Sequence, residues 1–346
     1  MRTFLFISCQ NYISNVDHQL PLVWSKIIPI IKNRQGNLDG LLLDWQLQQE
    51  TEAGDYSSAS LATHLRVLAT QGNLVDLPIV LCSAQDNFAI NYKRDTTTHD
   101  LFDMVYSKND LREDQTQLEF IALANGYKVL NEASKTACGI LGIAQNEYES
   151  LDVRFQAEFN NFFEIKSPSH QIARFLLREV IEYQGILVDE NVLAARLGVD
   201  KSSPDWEKLK TKLDSAKYKG VFDEAWERWW WFGVESWWKT NFAGKALRSS
   251  SASKRVEYLK ESFMLQNLVP SAKTPRSKSD SFWTVCYYAG TPLDTIDGFT
   301  LLQDETIKAW QEKRYVSLDY ALENKVAIAT IEKPRFTKLK ETYVNR

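Results

Sequence analysis

The run Leu38-Asp39-Gly40-Leu41-Leu42-Leu43-Asp44-Trp45 narrows the fold more than any other stretch of the chain. Three consecutive leucines between Gly40 and Asp44 suit a strand buried on both faces, as in the interior of a parallel sheet. Two further runs have the same character, Leu77–Ala84 and Leu101–Lys108, and Arg2–Ser8 suits a first strand. Helical patterns separate them. Leu20–Lys32 predicts a helix starting near Pro21, with Pro29 kinking it or ending it early. Ser57–Thr70 carries Leu61, Leu65 and Leu68 at helical spacing, with Ser57 or Ser58 as N-cap and Gly72 closing the helix. A long helix is expected from Leu111 to Ala133. Strands alternating with helices imply an α/β fold, here a doubly wound parallel sheet with helices on both faces.

Three strands then deliver Asp44, Ser83 and Lys108 to one edge of that sheet, the edge where open α/β sheets bind ligands. The order Leu-Leu-Leu-Asp-Trp-Gln-Leu, Leu-Pro-Ile-Val-Leu-Cys-Ser-Ala, Val-Tyr-Ser-Lys resembles the receiver domain of two-component response regulators, a flavodoxin-like fold, over residues 1–134. The resemblance implies a phosphoacceptor at Asp44, relay residues at Ser83 and Lys108, and an acidic pair after the first strand that holds magnesium. This chain has Ser8, Cys9, Gln10 and Asn11 there instead. Magnesium wants carboxylate oxygens, and without it the charge of a transferring phosphoryl group is left uncompensated. The interval from the first strand to Asp44 is also short for the family. The expectation is a degenerate receiver pocket of Asp44, Ser83, Lys108, Cys9 and Gln10, not phosphorylated, with Asp44 and Lys108 kept as an ion pair. Receiver-like domains of this kind serve as interaction modules in bacterial signalling and phage defence.

The helical pattern lapses at Glu132–Ile143, where two glycines fall, which puts a domain boundary near 134. Residues 135–346 read as a Trp-rich, mainly helical α+β domain. Leu151–Phe163 predicts a helix with an aromatic face, and Ser167-Pro168 opens another. Within 170–222, the Leu193–Val199 segment, a turn and a helix from Pro204 to Lys217 resemble a winged helix-turn-helix, with Tyr218–Phe222 starting a wing. The would-be recognition helix mixes Asp205, Glu207 and Asp214 with Lys208, Lys210 and Lys212, without the basic excess of a DNA reader.

Six of the eleven tryptophans lie between Ala225 and Trp238. Trp226, Trp229, Trp230, Gly233, Val234 and Trp237 fit one helical stripe. It reads either as a helix inside the core or as an aromatic platform for a partner, with Trp226, Trp229, Trp230 and Trp237 as anchors. Gly233 would admit another backbone. The net charge of −4 hides a basic segment from Lys239 to Lys278, in which Lys245, Arg248, Lys254 and Arg255 are candidates for nucleic-acid contact.

No metal-ligand spacing, nucleotide loop or nucleophile motif occurs, so no catalytic residue, metal or cofactor is expected. An enzyme such as a nuclease built from dispersed acids has no local motif behind it. His170 stands alone and reads as a surface or helix-cap residue. No run of eighteen apolar residues is present, the start is too quickly polar for a signal peptide, and four scattered cysteines fit a reducing cytoplasm. The leading expectation is a non-catalytic regulatory or adaptor protein that binds a protein partner, off the membrane, with homo-oligomerisation left open. The second is a nucleic-acid-binding regulator using 186–222 and the basic segment.

Overall fold

The computed structural model describes residues 3–7, 24–45, 50–51, 54–55, 57–83, 100–303 and 306–344. The chain divides into two compact units, Met1–Glu179 with Lys219–Trp226, and Val180–Tyr218 with Glu227–Arg346. The boundary expected near 134 lies inside the first of these, which carries on through the Phe-rich helix.

Four strands form the sheet of the first unit: β1 (Phe4–Ile7), β2 (Gly40–Asp44), β3 (Ile79–Ser83) and β4 (Met104–Ser107), all parallel. They lie in chain order, β1-β2-β3-β4. An α/β sheet is therefore present, but the described strands show no reversal of order. The crevice that a reversal opens in a doubly wound sheet is not formed among the described residues.

Alternate side chains sort to the two faces. Leu5, Ile7, Leu41, Leu43, Ile79 and Leu81 share one core with Ile27 and Ile31 of α1 (Trp24–Arg34) and with Leu61 and Leu65 of α2 (Ser58–Thr70). On the other face, Phe4 and Tyr106 meet Phe120 of α3 (Asp114–Leu130) at 4.8 and 5.8 Å between ring centroids. Gly40 is needed for this packing, because a Cβ there would lie 2.2 Å from the Phe4 ring.

Helix α1 runs through Pro29 instead of ending there. A helix-interior proline costs about 3 kcal/mol. Ile27 and Ile31, a turn apart on either side of it, are both buried, and two buried isoleucines return about 3–6 kcal/mol. Helix α2 starts as expected: the Ser57 hydroxyl accepts from the Ser60 amide at 3.1 Å. Beyond α3 come α4 (Val153–Glu164), where Phe155 and Phe159 stack at 5.6 Å, and α5 (Ser169–Arg174). Ser169 donates to the Leu130 carbonyl at 2.8 Å and fastens α5 to the end of α3.

The second unit is mainly helical with short ladders. Helices α6 (Glu190–Leu197) and α7 (Trp206–Lys212) follow a two-residue strand β5 (Leu187–Val188). No strand forms at Tyr218–Phe222, and Lys217 instead bridges to Trp229. The single Trp-rich helix expected from Ala225 does not exist. Trp229–Trp230 is a strand, β6, antiparallel to β5, and the helix α8 begins only at Trp231 and ends at Asn241. Pairing with Leu187 and Val188 takes Trp229 and Trp230 out of the helical stripe, and aromatic residues suit a pleated surface. Gly233 does admit a close neighbour: a Cβ there would lie 3.0 Å from the Ala216 side chain. Helix α9 (Ala252–Phe263) packs Val256 and Leu259 into the same core as Trp206, Trp229 and Trp238. Short ladders at Thr284–Val285 with Pro292–Leu293 and at Phe299–Thr300 with Tyr315–Val316 follow, and helices Leu318–Glu323 and Lys333–Val344 pack beside the second of them.

Candidate functional site

At the carboxyl ends of the strands the parallel register sets Asp44 beside Cys82 and Ser83 beside Ser107. The Trp45 amide donates to the Cys82 carbonyl and the Lys108 amide to the Ser83 carbonyl, both at 2.8 Å, so hydrogen bonding continues past each strand's last residue. Lys108 is thereby aimed back over the sheet end. Its Nζ donates to Asp44 Oδ2 at 2.7 Å and lies 5.9 Å from the Phe6 ring centroid. Asp44 is 6% exposed and Ser83 is buried. The Ser58 hydroxyl donates to the Asp44 carbonyl and ties the start of α2 to the same tip. Burial, with the Asp44 charge beside it, pushes the Cys82 thiol up to about 12, so it stays protonated at neutral pH. The structure thus pairs the acid with the amine, and Ser83 ends the neighbouring strand in a buried position. Cys9 and Gln10 lie outside the described residues.

The opposite end of the sheet holds a buried charged network. Arg66 of α2 donates to Asp76 Oδ1 and to Asp103 Oδ2, both at 2.8 Å, and to the Leu77 carbonyl at 2.8 Å. Asp103 also accepts from the Ile79 amide at 2.7 Å and from the Tyr127 hydroxyl at 2.6 Å. His170 of α5 meets Asp76 Oδ2 through its backbone amide and its Nδ1, each at 2.7 Å, so it is neither isolated nor a surface residue. Burial alone would lower the Arg66 guanidinium, but Tyr127, Asp103 and Asp76 outweigh it and raise it.

The Asp76 carboxyl behaves in the same balanced way. Burial would raise it, yet the His170 hydrogen bond and the Arg66 charge hold it below its ordinary value. A carboxyl lowered by folding stabilises the native state above its unfolded pKa, and that contribution is lost as pH falls towards the folded value. Thermal melts from about pH 5 to about pH 3 should show a steeper loss of stability for the natural chain than for Asp76→Asn. Parallel pH profiles of the two proteins would refute this role.

The aromatic and basic candidates are scattered by the fold. Trp226 packs edge-on to Phe222 at 6.2 Å within the first unit. In the second unit, Trp229 and Trp230 are 1% and 2% exposed and belong to the core, so neither can anchor a partner. Trp237 is half-buried, stacked on Phe263 at 5.4 Å. The four do not form one platform. Among the basic candidates, Lys245, Arg248 and Lys254 are exposed, whereas Arg255 is 0% exposed and structural. On α7, Lys208 is paired with Asp205 at 2.7 Å and Lys210 with Glu190 and Glu207 at 2.8 and 2.9 Å, so two cations of the would-be recognition helix are already engaged.

The sequence did not point to Arg196. It is 0% exposed, with its guanidinium 4.2 Å from the Trp231 ring and 4.8 Å from the Trp283 ring, and NH2 pairs with Glu312 at 2.5 Å. Burial lowers it below its ordinary value in spite of Glu312. Among the described residues no group of three or more His, Cys, Asp or Glu side chains converges on a metal position. No described helix is long and apolar enough to cross a membrane. No family profile, curated protein or solved structure matches the chain.

Proposed function

We propose that the chain is a non-catalytic regulatory protein in which a degenerate receiver-like sheet serves as a fixed interaction module for a protein partner, in bacterial signalling or phage defence. The observation that carries this reading is the ion pair between Lys108 and the buried Asp44, at 2.7 Å, at the position where a receiver would accept phosphate. The residues standing where the magnesium acids would be, Ser8, Cys9, Gln10 and Asn11, supply no carboxylate. For Asp44 to attack the phosphorus of an acyl phosphate and expel its carboxylate, it would have to release Lys108, and Ser8 to Asn11 offer no carboxylate to hold a metal against the developing charge. The free thiols of Cys82, Cys138 and Cys286 suit a reducing cytoplasm.

Incubation with acetyl phosphate and magnesium, read by intact mass, is expected to leave the mass unchanged. A phosphoryl adduct that disappears in Asp44→Asn would overturn the reading.

A further inference from the structure

We propose that the second unit binds single-stranded nucleic acid across the exposed Lys245, Arg248 and Lys254 and the rings beneath them, Tyr258 and Trp283. This stands independently of whether Asp44 can be phosphorylated.

The two units differ in charge. The second carries 25 Lys and Arg against 21 Asp and Glu, and the first 16 against 24. Within the positive unit the exposed cations are laid on aromatic rings. Lys245 Nζ lies 4.0 Å and Lys254 Nζ 5.2 Å from the Tyr258 centroid, and Arg248 lies 4.8 Å from Trp283. The buried Arg196 guanidinium lies 4.8 Å from the same Trp283 ring and 4.2 Å from Trp231, and the two indoles meet edge-to-face at 83°. The cluster is held together from below. Arg255, on α9 between Lys254 and Tyr258, donates to the Arg248 carbonyl at 3.2 Å and to the Phe282 carbonyl at 2.9 Å.

Carboxylates also stand at the cluster: Glu257 pairs with Lys254 at 2.7 Å and Glu312 with Arg196, and the charges of Glu261, Glu235, Asp280 and Asp294 are felt at Lys254, Arg196 and Arg255. Lys245 and Arg248 have no carboxylate partner among the described residues. Cations already resting on rings lose less freedom on meeting a phosphate than cations in open water. Arg248 is exposed while resting on Trp283, and a nucleobase stacks on a guanidinium plane as readily as on an aromatic ring. Duplex bases are stacked on each other and offer no such face, which is why the surface fits a single strand.

The test uses the full chain and a fluorescein-labelled oligothymidylate, read by anisotropy. Binding is expected at low salt and should weaken about twentyfold between about 50 and 200 mM salt, since three phosphate contacts each release about 0.7 ion on a single strand. The triple variant Lys245→Gln, Arg248→Gln, Lys254→Gln should keep the melting temperature and circular dichroism of the natural chain while losing binding and most of that salt slope. A duplex of equal length should bind at least about tenfold more weakly, the loss of one base stack. Absence of an anisotropy change at low salt, equal binding by the folded triple variant, or equal binding of the duplex would each overturn the proposal.

Discussion

Asp103→Ala is expected to lower the stability of the first unit by about 3–5 kcal/mol, the cost of leaving a buried ionic network without one partner. Asp103 receives three buried donors, from Arg66 at 2.8 Å, the Ile79 amide at 2.7 Å and the Tyr127 hydroxyl at 2.6 Å. Alanine orphans all three. Arg66 would keep Asp76 and the Leu77 and Leu101 carbonyls, but Asp76 would be its one remaining carboxylate in the network, with its second oxygen already committed to His170. At about 2–4 °C per kcal/mol for a unit of this size, the melting temperature should fall by about 10 °C. Asp103→Asn should fall between the two, because one amide oxygen can still accept from Tyr127 or Ile79 but carries no charge for Arg66. Lys128→Ala is the control. It breaks an ion pair with Asp39 whose lysine is more than half exposed, and should cost under about 1 kcal/mol. Hydrogen exchange at Ile79 and its neighbours in β3 reads the loss locally. An unchanged protection pattern in Asp103→Ala would mean that packing, and not the network, holds that end of the sheet.

What could be read in advance follows from which interactions are local. The strand interiors were legible because buried parallel strands are short unbroken apolar runs. Parallel strands also send their carboxyl ends to one edge, which is why Asp44, Ser83 and Lys108 could be placed together without knowing any contact. The network at the other end was not legible. Arg66, Asp76, Asp103, Tyr127 and His170 come from three helices, a loop and a strand approach, and no periodicity links them. One signal was present, since Asp103 breaks an otherwise apolar run at Leu101–Tyr106. The tryptophans were misread for a different reason. With so many in one window, several periods fit, and the choice was made by Leu187 and Val188, about forty residues away. Arg255 was misread as a surface cation although its position is informative. Ala252, Arg255, Val256 and Leu259 fall at i, i+3, i+4 and i+7, the buried stripe of α9.

That misplacement leads to the largest effect expected in the second unit. Arg255→Met should cost about 3–5 kcal/mol although it roughly preserves side-chain volume, because it strands several buried carbonyls at once. NH1 donates to the carbonyls of Arg196 and Phe282 at 2.9 Å and, more weakly, of Ala195 at 3.4 Å, and NH2 donates to Arg248 at 3.2 Å. Ala195 and Arg196 lie in the last turn of α6, where the Gly198 amide already donates to the Ala195 carbonyl at 3.0 Å and the guanidinium supplies a donor to the Arg196 carbonyl. One guanidinium therefore caps α6 and clamps it to the Phe282 and Arg248 segments. Among the described residues no carboxylate touches it; burial lowers it to about 10, against the more distant pull of Asp280 and Asp294. Arg255→Lys should recover little, since an ammonium on a single stem cannot span the same acceptors. The melting temperature of the second unit should drop by about 10 °C in Arg255→Met and stay within about 2 °C in Arg248→Gln. Loss of nucleic-acid binding in an Arg255 variant would thus report unfolding, whereas the same loss in Arg248→Gln would report the surface. A melting temperature for Arg255→Met equal to that of the natural chain would show that the clamp is dispensable.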